Sequence, residues 1–387
     1  MRVLFSSLPA YGHLYPLMPL MLACQEQGHD VVMATGEEFA DRMGSPLIGA
    51  FPANATLSWA ERETAARHPD LLQLPSSERW RFALEMFADV TAGRVAELML
   101  PLIQQLRPDL VIYEVTNVGV GVAADVAGIP SFAHALGQWS MLPAALHAAA
   151  LQRQAQIWET RGSHPPTATG VLARGYLDLW PPSLQDPVAG TPPARIPIRP
   201  QPWSEPLGNT PDWLQQPRRR PRVYLTLGTV SFGAVDALRA ALAGLAQLDV
   251  DVLVTVGPKG EPSLLGEPSA RIHVERFVPQ TMVLPYVDAV VSHGGAGTLL
   301  GALGWGLPQV VLPQGADQYI NGQTVAGSGV GRCLLGEEMT PSAVAAAVEA
   351  VLTDGPERAA ARGLQAEIAA LPSPAEVVPV LEALSLR

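Results

Sequence analysis

The chain has 387 residues, 48% of them hydrophobic and only 16% charged, enough apolar material for two cores and far from the composition of a disordered chain. Its 25 Lys and Arg against 36 Asp and Glu leave a formal charge of -11, which disfavours a broad polyanion-binding surface and hence nucleic acid as a partner. Two isolated cysteines, Cys24 and Cys333, provide neither a disulfide framework nor a CxxC metal site, and a reducing cytoplasm fits them.

Residues 2–6 read directly as a buried strand with no signal-type segment before it. The longest early apolar run, 14–24, is about half a membrane span and carries Pro16 and Pro19. A helix is predicted over 14–27, stopped by Gly28, and then a strand over 29–35. A polar helix over 77–105, a strand over 110–113, a helix over 119–127 and a strand over 130–133 follow. Short apolar strands alternating with longer helical patterns are the signature of βαβ units, so the fold class is α/β with doubly wound parallel sheets. From Pro165 to Pro221 fall 14 of the 37 prolines. Proline lacks the backbone donor that helix interiors and central strands use, so this stretch is expected to be loop and linker. Its run Arg218-Arg219-Arg220 with Arg222 reads as a solvated linker face ahead of a polyanion site. The rhythm then resumes, with strands over 223–226, 250–256, 289–292 and 309–312 and helices over 235–246, 297–304, 320–326 and 341–352.

Three places carry candidate chemistry. Ser292-His293-Gly294-Gly295-Ala296-Gly297-Thr298 follows an apolar strand and opens a helix. Unpaired N–H groups and the helix dipole there suit phosphate oxygens, and the glycines allow close backbone approach. A plain strand-to-helix turn would carry similar glycines. The loop Leu8-Pro9-Ala10-Tyr11-Gly12-His13 holds no GxGxxG, and the sequence has no GxxxxGK[ST], which disfavours nicotinamide cofactors and P-loop chemistry. His13 comes just after the first strand, at the mouth of the sheet, and Glu114 ends a strand on the same edge. An imidazole oriented by a carboxylate is a general base near neutral pH, whereas a structural histidine and a capping acid are the bland alternatives. Asp317 and Gln318, after the strand over 309–312, can grip vicinal hydroxyls or sit in an exposed loop.

Taken together, these segments resemble the GT-B-fold, family-one nucleotide-sugar glycosyltransferases, and among them the bacterial branch that decorates macrolides, enediynes and aromatic polyketides. The match runs through the Gly12-His13-Leu14-Tyr15-Pro16 element, Tyr224-Leu225-Thr226-Leu227-Gly228-Thr229, Arg276-Phe277-Val278-Pro279-Gln280, the His293 turn, and Gly306-Leu307-Pro308 through Asp317-Gln318. The resemblance implies two Rossmann-like domains facing across a cleft: an N-terminal acceptor domain over 1–205, a linker over 206–221, a C-terminal nucleotide-sugar domain over 222–370, and a last helix over 371–387 packing back on the first domain.

It further implies His13 as general base and Glu114 as its orienting acid, and Phe277 and Val278 at the pyrimidine. Gly228, Thr229, His293, Gly295, Ala296, Gly297 and Thr298 would lie at the diphosphate, and Asp317 and Gln318 at the sugar. Tyr11, Trp59, Trp80, Phe87, Trp139 and Met141 are the candidate acceptor contacts. The implied reaction is inverting transfer of a deoxyhexose from a dTDP-sugar to a natural-product hydroxyl in the cytoplasm, without metal or other cofactor. The expected partners are a nucleotide sugar and a hydrophobic aglycone, with a homodimer as a further expectation and neither nucleic acid nor a membrane span. C-glycosylation of an aromatic polyketide, UDP-sugar use, a sugar-nucleotide 2-epimerase and a non-catalytic partner of another transferase are the competing readings.

Overall fold

The computed structural model describes residues 1–37, 39, 56–74, 78, 80–139, 144–162, 173–186, 194–205, 209–228, 235–257, 260–265 and 270–386. The first sheet consists of β1 (Arg2–Ser6), β2 (Asp30–Ala34), β3 (Leu110–Glu114), β4 (Ser131–His134), β5 (Gly175–Asp178) and β6 (Arg195–Pro197), all parallel, in the order β2-β1-β3-β4-β5-β6. The second consists of β7 (Arg222–Thr226), β8 (Asp251–Thr255), β9 (Ile272–Glu275), β10 (Ala289–Ser292), β11 (Gln309–Val311) and β12 (Gly331–Cys333), also parallel, in the order β12-β11-β10-β7-β8-β9. Strands buried on both faces by crossover helices read as continuous apolar runs rather than alternating ones, and Leu110-Val111-Ile112-Tyr113-Glu114 is buried throughout.

The winding of each sheet reverses once. The first reverses between β1 and β3, and the second between β7 and β10. Ligands of open α/β sheets bind outside the carboxyl ends of the strands at such a reversal.

The chain forms two compact units, Met1–Leu179 with Gln185–Ile198 and Pro372–Arg387, and Trp180–Leu184 with Arg199–Leu371. The last helix, Pro374–Ser385, therefore packs in the first unit. Gln27 Nε2 donates to the Ala375 carbonyl at 2.8 Å, His29 Nε2 lies 3.1 Å from Glu382 Oε1, and Arg174 Nη1 donates to the Leu384 carbonyl at 3.3 Å. Among the described residues no single helix is long and apolar enough to cross a membrane.

Three expectations are corrected. The proline-rich stretch is not all loop, because it supplies β5 and β6. Strand β5 contains no proline, and β6 is the sheet edge with Pro197 at its end, where a missing ladder donor costs least. The helix expected over 77–105 is interrupted: a π-helical turn, Met86–Thr91, separates Trp80–Glu85 from Ala92–Leu106 and turns Ala88, Val90 and Thr91 inward. Arg222 does not belong to a solvated face. Its guanidinium is buried and donates to the carbonyls of Trp213, Leu214 and Gln216, ending the short helix Asp212–Gln215.

Gly119 lets the helices Ala92–Leu106 and Val118–Val126 touch backbone to backbone, since a Cβ there would stand 2.3 Å from the Ala92 carbonyl oxygen and 2.7 Å from the Ala96 nitrogen. Gly119→Ala should lower stability by about 1–3 kcal/mol through overpacking, and an unshifted urea midpoint would show that these helices separate freely.

His134, at the end of β4, is fully buried. Burial pushes its pKa down to about 4, against the opposing pull of the Ala135 carbonyl and the Glu114 charge. An unfolded histidine takes its proton near pH 6.5, whereas the fold refuses it until about 4. The contribution of His134 is therefore complete above pH 6.5 and falls, by up to about 3 kcal/mol, as pH drops through that window. His134→Asn should flatten the dependence of the urea midpoint on pH between 6.5 and 4, and parallel curves for the two proteins would refute a neutral buried imidazole.

Candidate active site

In the first unit the reversal of the sheet sets two side chains against each other. Strand β1 runs into a loop and then the helical turn Tyr11–Leu14, which carries His13, while Glu114 is the last residue of the neighbouring strand β3. His13 Nδ1 lies 2.9 Å from Glu114 Oε2. The Glu114 side chain has no exposed surface and that of His13 has 16%. A buried carboxylate is costly unless its lone pairs are met. Here Thr116 meets them from two residues downstream, its N–H donating to Oε1 at 2.6 Å and its hydroxyl to Oε2 at 2.9 Å. The carboxylate accepts from the Nδ1–H of His13, which fixes the tautomer and makes Nε2 the basic nitrogen. The Phe87 ring lies over the imidazole, 6.5 Å between centroids and 24° between planes, delivered there by the π-helical turn. Thr116 was not singled out in the sequence, although its position two residues after a strand-end acid is a common place for a hydroxyl that closes a turn on a carboxylate.

The remaining acceptor candidates divide. Tyr11 stands edge-on to Tyr15 and Phe39, at 5.3 and 5.1 Å. Trp59 is half-buried on the helix Leu57–Arg67, and Trp80 is 37% exposed with the Arg81 guanidinium 5.3 Å above its ring. Trp139 is half-buried and edge-on to Tyr176, which is itself core. Met141 lies outside the described residues, as does Thr229 of the diphosphate set.

In the second unit the reversal lies between β7 and β10, and Gly228 after β7 stands against His293 after β10. Gly228 and Gly294 both adopt the left-handed region, at φ 80° and 85°, which glycine enters without a Cβ clash. The His293 ring fills the space that side chains on either neighbour would need. A Cβ on Gly228 would meet its Cε1 at 2.6 Å, and one on Gly295 would meet its Nε2 at 2.5 Å. Burial pushes the His293 pKa down to about 4, only partly opposed by the Thr226 carbonyl, so the imidazole is neutral at pH 7. Its Nδ1 is buried with no hydrogen-bond partner among the described residues.

Gly295 begins the helix Ala296–Gly304 with no side chain capping its first turn. A Cβ on Gly297 would meet nothing within 4 Å. Thr298 Oγ1 accepts from Gln280 Nε2 at 2.7 Å, which leaves the hydroxyl proton free to point elsewhere. A helix N-terminus with open N–H groups and a neutral imidazole beside it suits an anion. Among the described residues no group of three or more His, Cys, Asp or Glu could hold a metal ion.

The other predicted residues of this unit fall in different environments. The Val278 side chain is core, packed with Leu214, Tyr224, Leu253 and Val290, so only its backbone remains for a ligand. Phe277 beside it is 38% exposed. The Gln318 carboxamide is buried, with Oε1 accepting from the N–H groups of Gln314 and Gly315 at 2.8 and 3.1 Å. Asp317 Oδ2 accepts from Asn321 Nδ2 at 2.9 Å.

The N-terminal domain of the erythromycin biosynthesis protein CIII-like family matches residues 22–228, and its C-terminal domain matches 239–384. L-demethylnoviosyl transferase of Streptomyces niveus is 33% identical, over 99% of this chain and 98% of its own. The 10-deoxymethynolide desosaminyltransferase of Streptomyces venezuelae is 30% identical, over 100% and 98%. Among solved structures, the glycosyltransferase SnogD from Streptomyces nogalater has a TM-score of 0.80 at 27% identity, covering 100% of this chain and 99% of its own. Spinosyn rhamnosyltransferase SpnG complexed with thymidine diphosphate has a TM-score of 0.79 at 27% identity, covering 99% and 100%. Two six-stranded parallel sheets, the paired histidine and carboxylate, the glycine-rich helix start and these end-to-end matches together place the chain in the erythromycin biosynthesis protein CIII-like family, as a GT-B glycosyltransferase of natural-product tailoring.

Proposed function

We propose that this glycosyltransferase moves a deoxyhexose from a dTDP-sugar to a hydroxyl of a polyketide-type aglycone, with inversion at the anomeric carbon and without a metal. The observation that carries this reading is the 2.9 Å contact of His13 with the buried Glu114. His13 Nε2 takes the proton of the acceptor hydroxyl as its oxygen bonds to the anomeric carbon. The Glu114 carboxylate on Nδ1 stabilises the imidazolium that forms. The bond from the anomeric carbon to the diphosphate breaks on the opposite face, and the electron pair leaves with the nucleotide.

Negative charge then grows on the diphosphate. The N–H groups of Gly295, Ala296 and Gly297, the Thr298 hydroxyl and neutral His293 are the donors assigned to meet it. Gly228, against the His293 ring, is assigned to the same diphosphate, as is Thr229 by sequence alone. Phe277 and the Val278 backbone are assigned to the pyrimidine, and Asp317 and Gln318 to the sugar. The activities of the relatives support a deoxysugar donor, since they are named as demethylnoviosyl and desosaminyl transferases. The thymidine diphosphate complex of SpnG supports thymidine as the nucleoside. Tyr11, Trp59, Trp80, Phe87 and Trp139 offer aromatic surface for a flat acceptor.

His13→Ala should leave thymidine diphosphate affinity nearly intact while turnover onto a hydroxyl acceptor falls by about 10²–10⁴-fold, and equal turnover would remove His13 from the chemistry. Calorimetric titration should show His293→Ala binding thymidine diphosphate about tenfold more weakly, and unchanged affinity would sink that assignment. The anomeric proton coupling of the product, compared with that of the donor, tests inversion: retained configuration would exclude a single displacement.

A further inference from the structure

Asn321 lies within the helix Gln318–Gly327 and is completely buried. Its Nδ2 donates to two oxygens, the Gly294 carbonyl at 2.8 Å and Asp317 Oδ2 at 2.9 Å. The reversed orientation of the carboxamide would set Oδ1 against both acceptors, so the pair of oxygens fixes which way the amide faces. Its own Oδ1 is buried without a hydrogen-bond partner among the described residues, a cost of about 1–3 kcal/mol for such a group that the fold tolerates at this position.

The Gly294 carbonyl and the Gly295 N–H belong to one peptide unit. The described chain has no cis peptide, and in a trans peptide these two groups point in opposite directions. By drawing the carbonyl inward, Asn321 turns the Gly295 N–H outward, at the start of the uncapped helix Ala296–Gly304. The loop cannot relax readily. The Gly294 N–H is held by Ser292 Oγ at 3.1 Å, φ is 85°, and a Cβ on Gly294 would stand 2.5 Å from Val311 Cγ1.

The geometry points to Asn321 as a positioning residue that couples the two halves of the donor site. One amide hydrogen aims the Gly295 N–H at the terminal phosphate of a nucleoside diphosphate. The other holds the Asp317 carboxylate in place for sugar hydroxyls. This rests on reading the glycine-rich turn as the diphosphate site. It differs from the role assigned to His293, because Asn321 touches no ligand atom and acts through the Gly294–Gly295 peptide.

The test is calorimetric titration of the full chain, as wild type, Asn321→Ala and Asn321→Asp, with thymidine monophosphate and thymidine diphosphate. Asn321→Asp keeps the side-chain volume but sets a carboxylate against Asp317 and the Gly294 carbonyl. Both variants should bind the diphosphate about tenfold more weakly while monophosphate affinity stays within a factor of two or so, so the preference for the second phosphate collapses. A folded variant that keeps the wild-type preference would overturn the proposal. Failure of the wild type to bind thymidine diphosphate would overturn the underlying nucleotide reading instead. Should both variants unfold, the wild type with ¹⁵N-glycine decides. The Gly295 amide should shift on adding thymidine diphosphate, and a stationary Gly295 signal while other resonances report binding would refute the role.

Discussion

Both sites exist because each sheet reverses its winding at one pair of parallel strands. In an open α/β sheet the chain leaves the two strands of such a pair toward opposite faces, which opens a crevice beyond their carboxyl ends. His13 and Glu114 are more than a hundred residues apart and are made neighbours by strand register alone, in which Ser6 pairs with Tyr113. Gly228 and His293 are brought together likewise, through the pairing of Thr226 with Ser292. The helices, the edge strands and the docked final helix serve to keep those two pairings buried and in register.

The two imidazoles at these crevices illustrate opposite electrostatic solutions. Beside His13 the fold supplies a carboxylate, shut away from water and held by Thr116, and a partner of that kind stabilises an imidazole that takes up a proton. Around His293 the fold supplies glycine backbone, the Thr226 carbonyl and burial, and the ring remains uncharged. A neutral imidazole can donate a hydrogen bond without bringing a fixed charge to its surroundings. Substituting side chains for Gly228 or Gly295 would displace that ring before it changed any contact with a ligand.

What the sequence made legible follows from this geometry. The strands next to each reversal are long apolar runs, and residues at their carboxyl ends announce themselves by position, so His13, Glu114 and the glycine-rich turn were accessible by reading alone. The short strands β5, β6, β9 and β12 were not, being three or four residues long and, in two cases, set in a proline-rich tract. Aromatic residues near the acceptor side mislead for a different reason. Composition cannot separate Trp80, which reaches solvent, from Trp158, which is wholly buried with its indole N–H on Asp125. Val278 carries the same ambiguity, a motif residue whose side chain the core has claimed. Asn321 was invisible because its partners are a backbone carbonyl 27 residues away and a carboxylate one helical turn back. The sequence shows only an asparagine in a helix, a residue with weak propensity there and no evident purpose.

The docked C-terminal helix has a consequence for the order of folding. The helix Pro374–Ser385 begins with a capping box, in which the Ser373 hydroxyl and the Glu376 carboxylate satisfy each other's backbone N–H groups. It belongs to the unit whose first strand is residues 2–6. During synthesis, which delivers residues in chain order, the unit started first is therefore the one finished last. Its surface around the helix Met18–Glu26 must wait, uncovered, while the whole second unit is made, which makes that interval the time of greatest exposure to misassembly.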